Sequence, residues 1–231
     1  MSDLSTFNEM VLNRVPDVES IMDSTARDEA VRAAVETYSR HRPRMIVVDV
    51  NGSGATDIPL PAEWIEDYSA LREVEYPVGE KRPCTLETED YQIYQTPLAE
   101  VLRLYHHTPG VTDNIRLSIT VYHDVDDTTS TIPAAHENAL GDLAASVLCE
   151  RLSTHFSTTT DSTLATDSVD HQSQSRDYAM RAKCYRQLAL SHLGISTRSR
   201  ANGSVEQVAQ PASAARSYAP NTGHGFGRLT H

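Results

Sequence analysis

Two long segments with helical spacing of their side chains, 132–156 and 174–195, constrain this chain more than any other feature of its sequence. In each segment, one set of mostly apolar side chains recurs at steps of three and four residues, which places the set on one side of an α-helix. The two sets are Leu140, Leu143, Ala144, Val147, Leu148 and Leu152, and then Tyr178, Ala182, Tyr185, Leu188, Ala189 and His192. Gly194 follows the last turn, where a left-handed cap favours glycine. We therefore predict two amphipathic helices of about 20 residues that form a hairpin and carry the core.

A third helix is predicted near the N-terminus. Asp23 and Ser24 can cap a helix over residues 25–39, because their side-chain oxygens can accept hydrogen bonds from its first N–H groups. One face of this helix is lined with small residues and one tyrosine: Ala26, Ala30, Ala33, Ala34 and Tyr38. Such a face lets another helix approach closely, so we expect it to pack on the helix hairpin. Residues 1–22 are predicted to be an N-terminal docking segment.

Residues 45–124, between the N-terminal helix and the helix hairpin, carry the signals of β-strands. Residues 45–50 (MIVVDV) are rich in β-branched side chains, and residues 114–123 alternate apolar and polar side chains with the period of a half-buried strand. The order of helix, strands and helices predicts an α+β fold. We expect a helical bundle, made of residues 23–42 and 132–195, with a β-rich insertion and a flexible C-terminal tail.

The start of the insertion is predicted to be a hairpin followed by a short helix. Residues 45–50 would pair with residues 56–60 across a glycine-containing turn, and residues 62–71 would form the helix, anchored by Trp64. The run 47–54 superficially resembles a strand that leads into a phosphate-binding loop. Such a loop needs a helix to begin at once, and the prolines that follow favour the hairpin instead.

Charge is unevenly distributed along the chain. The formal net charge is −12, yet residues 1–195 carry 16 Lys/Arg against 31 Asp/Glu, whereas residues 196–231 carry four Arg against one Glu. An acidic body argues against wrapping nucleic acid, because contacts to phosphates need clustered cations. No apolar run approaches the ~20 residues that span a bilayer, and the N-terminus lacks the pattern of a signal peptide. We expect a cytoplasmic protein with no membrane contact.

Residues 196–231 lack apolar periodicity and are predicted to be extended and disordered in isolation. Six of them are suited to contacts with a partner: Arg198, Arg200, Arg216, Tyr218, Phe226 and Arg228. Arginines can pair with acidic groups, and isolated aromatic side chains can fill pockets. The polar connection 157–173 is longer than most links between helices, and loops of that length tend to be functional or disordered.

Candidate chemical sites in the sequence have simpler structural explanations. Residues 123–127 combine one histidine with three aspartates, but their spacing is not that of a calcium loop, and acidic residues are common in turns after strands. His106 and His107 are adjacent, so on a strand they would point to opposite faces. The sequence contains no GxSxG or Cys/His signature. We therefore predict no enzyme, no metal and no cofactor.

The three cysteines, Cys84, Cys149 and Cys184, lie far apart and show no CxxC spacing. A pattern of this kind argues against a disulfide framework or a zinc site. Two of the three lie within the predicted helices. We expect buried thiols in a reducing compartment.

Several short motifs together resemble the head–tail adaptor proteins of tailed bacteriophages, also described as neck or connector-ring proteins. In the first half of the chain they are the Ala-rich helix ending in Tyr38-Ser39 before Pro43, Leu60-Pro61 with Trp64, Val74-Glu75-Tyr76-Pro77, and Tyr122-His123. In the second half they are the helix of residues 139–152, Asp167-Ser168-Val169-Asp170-His171, Ser173, Ser175, Tyr178, Ala182, Tyr185 and Leu193-Gly194. The resemblance covers about residues 20–195, which makes 23–195 the adaptor domain.

Adaptors of this family pack helices around a ring that docks beneath the portal and passes DNA toward the tail. The resemblance implies a structural protein of the virion neck, present in the host cytoplasm during assembly, with no catalysis and no cofactor. Its partners would be the portal protein, tail or other neck proteins, and copies of itself in a ring that is twelvefold by family resemblance. DNA would pass through without specific binding, which agrees with the acidic body because carboxylates repel phosphates.

Because of its arginines and isolated aromatic residues, we expect the basic tail to dock on the portal or on a neighbouring subunit. The β-rich insertion departs from the mostly helical pattern of several such adaptors, which leaves open the neighbour that it contacts. Two alternatives from other classes remain. One is a DNA-packaging or regulatory DNA-binding protein, which should show a basic recognition face, although residues 174–195 offer only four basic side chains, Arg176, Arg181, Lys183 and Arg186. The other is an unrecognised hydrolase, with His123 and Asp124 as its first candidate residues.

Overall fold

Four α-helices lie in the part of the chain that the structure, a computed structural model, describes. Their bounds are α1 Leu4–Arg14, α2 Ser24–His41, α3 Glu137–Thr158 and α4 His171–His192, and a 3₁₀ turn, Ala134–His136, leads into α3. The described residues are 2–16, 21–158 and 171–195, with only the backbone of 171–173. The predicted connection therefore lies mostly, and the predicted tail entirely, outside the described residues. The three predicted helices are confirmed, although α3 begins later than the predicted start at residue 132.

Two predicted helix ends are confirmed by their hydrogen bonds. The carboxylate of Asp23 accepts a hydrogen bond from the N–H of Ala26 (2.9 Å), one of the N–H groups that the first turn of α2 leaves unpaired. Just after α4, Gly194 has a φ of 71°. The N–H of Ile195 then donates to the carbonyl of Leu190 (2.8 Å), which is the Schellman arrangement that ends α4.

Helix α3 lies at the centre of the helical core. Helices α1, α2 and α4 all pack on it, and its residues 139–146 are buried on every side of the helix. The sequence predicted that only one side of this helix is buried. The other sides are buried as well, because three helices pack on the same residues. The largest fully buried side chains of this core are Phe7, Tyr38, Leu140, Leu148, Leu152 and Leu193.

The predicted docking segment 1–22 contributes helix α1 to this core. The carboxylate of Asp3 accepts a hydrogen bond from the N–H of Thr6 (2.8 Å), and the side chains of Phe7 and Val11 are fully buried. No helix was predicted here from the sequence, because polar residues separate the apolar ones and the apolar face of the helix is narrow. The docking role of the segment stays a prediction.

Within the described residues, six strands form two three-stranded antiparallel sheets. Their bounds are β1 Arg44–Asn51, β2 Asp57–Pro59, β3 Leu71–Glu75, β4 Tyr91–Gln95, β5 Glu100–Leu104 and β6 Asn114–Val121. The strand order is β1-β6-β3 in the first sheet and β2-β5-β4 in the second. Apolar side chains of both sheets form a second core, separate from that of the helices. The predicted mixture of helix and sheet is confirmed.

The predicted hairpin of residues 45–50 with 56–60 is wrong. Strand β1 pairs along its whole length with β6. On the buried face of this pair, the alternating apolar residues of β6 lie opposite those of β1. The turn after β1 packs on the loop before β6, because Gly52 donates its N–H to the carbonyl of Asp113 (2.8 Å). A Cβ on Gly52 would lie 2.3 Å from the carbonyl oxygen of Gly110, so this close approach requires glycine.

The predicted helix over residues 62–71 is also wrong, since this stretch consists of turns that lead into β3. Asp67 adopts a left-handed φ of 62°, which a continuous helix does not allow. Trp64 nevertheless anchors the segment, because it packs on the strand core and its Nε1–H donates to the carboxylate of Glu100 (2.7 Å).

Strand β6 is confirmed, but it is buried on both faces rather than on one. Its apolar side chains Ile115, Leu117 and Ile119 are fully buried, and the polar Ser118 and Thr120 between them are also buried. The backbone before β3 covers the polar face, where the hydroxyl of Thr120 accepts the N–H of Ala70 (2.8 Å). The alternation in the sequence therefore predicted the strand. It did not indicate that the backbone before β3 covers the second face.

Arg14, at the end of α1, forms hydrogen bonds that connect three helices. Its Nε–H donates to the carboxylate of Asp142 in α3 (2.6 Å), and the hydroxyl of Tyr185 in α4 donates to its carbonyl (2.9 Å). Gly141 lies against the guanidinium, where a Cβ would come within 3.1 Å of Cζ. The side chains of Arg14 and Asp142 are only 20% and 10% exposed, so each compensates the other's charge at the edge of the core.

We expect Arg14→Ala to lower the free energy of unfolding by about 2–4 kcal/mol, because it leaves the carboxylate of Asp142 largely buried without its cation. Urea unfolding followed by circular dichroism measures this loss. Arg40→Ala is the matched control, since Arg40 forms an exposed ion pair with Glu36. Pairs of that kind contribute about 0.3–0.5 kcal/mol. Equal losses in the two variants would contradict the role assigned to Arg14.

Candidate assembly surfaces

The six tail residues predicted to bind a partner lie outside the described residues. They are Arg198, Arg200, Arg216, Tyr218, Phe226 and Arg228. Their role stays a prediction, and the described body carries candidate surfaces of its own.

Three residues of the resemblance, Tyr38, Ser39 and His123, meet where the helical core joins the strands. The hydroxyl of Tyr38 lies 2.6 Å from Nδ1 of His136, and its ring packs edge-on against His123, with 5.1 Å between the ring centroids. The Oγ of Ser39 accepts the N–H of His123 (3.0 Å), and its carbonyl accepts the hydroxyl of Tyr68 (2.8 Å). These polar contacts join α2 to the end of β6 and to the segment before α3.

The surroundings of His123 favour a structural role over catalysis. Its Nδ1 lies 3.0 Å from the carbonyl oxygen of Thr131, and burial lowers the pKa of the imidazole below its usual range. The nearby hydroxyl of Ser39 donates to the carbonyl of Val35 (2.7 Å) and is thus held within α2. Asp124, its candidate partner in a hydrolase, is exposed. Both the imidazole and the hydroxyl are fixed by contacts of the fold.

The acidic run 123–127 forms a turn. The N–H of Asp126 donates to the carbonyl of Thr129 (2.8 Å), and the N–H of Thr131 donates to the carbonyl of Asp124 (2.9 Å). Within residues 2–16, 21–158 and 171–195, no group of three or more His, Cys, Asp or Glu side chains is placed to hold a metal ion. Among the same residues, no helix has both the length and the apolar character needed to cross a membrane.

Helix α4 exposes an apolar stripe on the side away from the core. Met180, Cys184 and Leu188 follow at four-residue steps, and Met180 and Leu188 are 61% and 58% exposed. These three residues are named the helix surface. The prediction that Leu188 faces the core is wrong, because its spacing aligns it with Cys184 on the outer stripe. An open groove of about 460 Å³ runs beside the stripe, lined by Arg14, Asp177, Met180, Arg181, Cys184 and Tyr185.

Strands β4 and β5 form a hairpin that exposes a second set of large apolar side chains, Tyr94, Leu98 and Tyr105, named here the hairpin surface. Leu98 is 97% exposed at the tip. The turn around it is closed by two hydrogen bonds to the carbonyl of Ala99, from the N–H (3.0 Å) and from the hydroxyl (2.6 Å) of Thr96. The tip is therefore an ordered turn that presents Leu98 to solvent.

A chain of polar contacts positions the tyrosines of the hairpin surface. Arg103 donates two hydrogen bonds to the carboxylate of Asp57 (2.6 and 2.7 Å), and its guanidinium lies 3.8 Å from the ring centroid of Tyr94. The hydrogen bond from Arg103 lowers the pKa of Asp57 below its usual range. The hydroxyl of Tyr105 donates to the side-chain oxygen of Gln92 (2.5 Å). The surface is thus largely ordered before any partner binds, which reduces the entropy lost on binding.

The helix surface and the hairpin surface lie among charges of opposite sign. Helix α4 carries four basic residues and one acidic residue, namely Arg176, Arg181, Lys183, Arg186 and Asp177. Beside the hairpin surface, Glu87 and Glu89 are exposed carboxylates, and the positive charge of Arg103 is already paired with Asp57. The carboxylate of Glu100 lies on the other face, where it binds Trp64. The net acidic charge of the body does not show this difference in charge between the helix surface and the hairpin surface.

A third apolar site, the strand surface of Met45 and Val47, lies on β1. This strand is at the edge of its sheet, and both side chains point outward. Arg116 pairs with Asp49 on the same face (2.7 Å), so the nearby charges are balanced. The strand surface therefore gives no electrostatic indication of a partner.

Neither the helix surface nor the hairpin surface was predicted from the sequence. A signal for the helix surface was available, since Met180 and Cys184 have helical spacing on a side of α4 that does not contain Tyr178 or Ala182. The hairpin surface depends on the pairing of β4 with β5, and two five-residue strands carry too short an alternation to specify it.

No family model matches the chain, and no curated protein matches it. Solved structures similar to it include a chain in the neck of a native GTA particle computed with C12 symmetry, at 10% identity and a TM-score of 0.28, covering 74% of this chain and 89% of that one. Another is in the neck of an empty GTA particle computed with C6 symmetry, at 10% identity, a TM-score of 0.27 and coverage of 68% and 79%. A third is in the virion of a native gene transfer agent particle, at 10% identity, a TM-score of 0.25 and coverage of 76% and 87%. TM-scores this low do not establish a common fold.

Stability is expected to fall as the pH drops from about 7.5 to about 5.5. Burial lowers the pKa of His123 and of His136 below that of an unfolded histidine, which is about 6.5. Above the unfolded pKa both states are neutral and stability is complete. Below it the unfolded chain takes up protons that the folded chain does not, so the free energy of unfolding decreases. Urea unfolding at several pH values measures the slope.

The double variant His123→Gln/His136→Gln should flatten this dependence on pH, whatever its effect on stability at neutral pH. His106→Gln is the control, because His106 is exposed on a loop. A double variant that keeps the original slope would show that other groups cause the loss of stability in acid.

The cysteines are expected to differ in reactivity, because the prediction of buried thiols holds for Cys149 and is wrong for Cys84 and Cys184. Burial raises the pKa of the Cys149 thiol to about 11, which leaves almost no reactive thiolate at neutral pH. A maleimide should therefore label Cys84 and Cys184 in the folded chain, and all three cysteines after unfolding. Peptide mapping by mass spectrometry identifies the labelled residues. Rapid labelling of Cys149 in the folded chain would contradict the described core.

Proposed function

We propose that this chain is a structural protein of a virion neck, a head–tail adaptor that forms a ring beneath the portal of a tailed, phage-like particle. In this role it joins the capsid to the tail and lines part of the path of the DNA. Residues 23–195 act as the adaptor domain, and residues 196–231 act as an extended binding tail. Its partners are the portal protein, tail or other neck proteins, and further copies of itself.

The observation that carries the proposal is the contrast between the interior and the surface of the body. Residues of the resemblance such as Tyr38, Ser39 and His123 hold the fold together, whereas the helix and hairpin surfaces leave large apolar side chains exposed. Exposed apolar surface of this kind is expected of a protein that assembles with others. An enzyme instead needs a cleft in which activated groups converge.

The acidic charge of the body suits a wall past which DNA moves. Residues 1–195 carry 31 acidic against 16 basic side chains. Carboxylates at a channel wall repel the phosphates of the duplex, so that it slides without adhering. A ring structure with a neutral or basic channel wall would remove this part of the proposal.

Binding to the portal tests the adaptor role. Purified full-length chain is mixed with portal rings of its particle, and the complex is isolated by sedimentation and weighed by native mass spectrometry. We expect a number of copies that matches a closed ring, twelvefold by the family resemblance. One or two copies per portal ring would contradict the ring, and a failure to bind would contradict the adaptor role.

A second candidate function, DNA binding by α4, has one observation in its favour. The basic side chains Arg176, Arg181, Lys183 and Arg186 are all exposed on this helix. An electrophoretic shift of duplex DNA at physiological salt, weakened by Lys183→Glu/Arg186→Glu, would favour this function. The adaptor proposal expects no shift under these conditions.

Truncation after Ile195 should weaken portal binding and lower the yield of tailed particles. The tail carries four arginines, together with Tyr218 and Phe226, and can wrap surface that the body does not reach. Because the body has its own two cores, its thermal unfolding should remain nearly unchanged. Normal portal binding by the truncated chain would show that the tail has no role in attachment.

A further inference from the structure

We propose that neighbouring copies of this chain bind head to tail, with the helix surface of one copy against the hairpin surface of the next. The occupant of the helix surface is thus a second copy of the chain. This inference rests on the proposed function and gives its ring a specific contact.

Leu98 is the central residue on the hairpin side. It is 97% exposed, and the turn of Thr96 and Ala99 holds it away from the body. A leucine fixed in this position gains from contact with an apolar recess, because its burial removes surface from water and its backbone is already ordered.

A recess of suitable character lies on the helix side. The groove beside α4 has an apolar part formed by Met180, Cys184 and the ring of Tyr185, and its remaining lining is charged: Arg14, Asp177 and Arg181. The hydroxyl of Tyr185 is bound to the carbonyl of Arg14, so the ring is fixed before a partner arrives. From Met180 to Leu188 the stripe extends about 12 Å, and a five-residue strand such as β4 extends about 16 Å, so the two surfaces are similar in length.

Electrostatic attraction favours contact between the helix surface and the hairpin surface. The exposed basic side chains of α4 would face the exposed carboxylates of Glu87 and Glu89 beside the hairpin. Two copies of α4 placed together would instead set basic side chains against basic ones, and two hairpins would set acidic against acidic. The contact therefore joins different surfaces, and contacts of that type close into rings when the rotation between copies allows it.

Other occupants of the helix surface fit less well. The C-terminal tail carries four arginines against one glutamate, the same sign as α4. The strand surface of Met45 and Val47 lies beside balanced charges and would not be selected by a basic helix. A second copy, through its hairpin surface, supplies both the apolar side chain and the opposite charge.

Cross-linking tests the contact directly, because Cys184 lies within the helix surface. Leu98→Cys is introduced together with Cys84→Ser in the full chain, and a short bis-maleimide is added to the concentrated protein and to its portal-bound form. We expect a ladder of dimers, trimers and larger species. Val111→Cys in the same background is the matched control, since Val111 is 69% exposed in the loop before β6. It should give at least about tenfold less product, the factor that about 1.4 kcal/mol of binding provides.

Two results would overturn the inference. One is the absence of a ladder in both forms of the Leu98→Cys chain, and the other is equal product from the Val111→Cys control. Occupation by the tail predicts a further difference. In that case, truncation after Ile195 would increase maleimide labelling of Cys184, and the Leu98→Cys chain would give no ladder.

Charge reversal provides an independent measurement. Lys183→Glu/Arg186→Glu on the helix side and Glu87→Lys/Glu89→Lys on the hairpin side should each weaken association by about tenfold or more. A chain that carries all four changes should regain association, because the two surfaces then attract with exchanged signs. Sedimentation velocity measures association, and thermal unfolding confirms that each variant folds. Failure of the fourfold variant to exceed both double variants would contradict the proposed pairing.

The failure of this inference can be distinguished from the failure of the adaptor role. If wild-type chain binds portal rings in many copies but gives no cross-link through Leu98→Cys, the adaptor role stands and this contact is wrong. If wild-type chain does not bind portal rings, the adaptor role is wrong, whatever the cross-linking shows.

Discussion

The rest of the helical core depends on the burial of α3, on which the other three helices pack. A helix buried on all sides has little room for a charge, yet α3 carries Asp142 at the edge of the core. Arg14 compensates this carboxylate from α1, and its carbonyl binds Tyr185 of α4, so one residue connects three helices. The buried carboxylate of Asp142 lowers the stability of the fold unless Arg14 pairs with it. The arrangement of the helices therefore depends on this ion pair.

The helical core and the strand core are joined mainly through polar contacts at the end of α2. Ser39 binds His123 through its hydroxyl and Tyr68 through its carbonyl, and Tyr38 lies between His123 and His136. Partial burial lowers the pKa of both histidines in this junction, so the stability of the contact between the two cores depends on pH. The same junction carries residues through which the sequence resembles phage adaptors, so the resemblance reflects the framework of the fold rather than a chemical site.

The proposed assembly accounts for two features of the surface. Met180, Leu188 and Leu98 are exposed, although exposed apolar surface does not stabilise a monomer. The charges around the helix surface and the hairpin surface are opposite in sign. A head-to-tail contact explains both features, because it buries the side chains and pairs the charges. The acidic remainder of the body then remains available to face DNA, solvent or the portal.

The sequence by itself determined the helices α2, α3 and α4, the strands β1 and β6, and the mixed class, because periodicity and capping are local properties. It did not determine strand partners. The predicted hairpin after β1 failed because β6, more than 60 residues later, offered a better apolar match and a loop that fits against Gly52. Nor did it show which side of α4 is exposed, since Leu188 has helical spacing with both stripes. Pairing and exposure are decided by contacts between distant residues, which only the tertiary structure brings together.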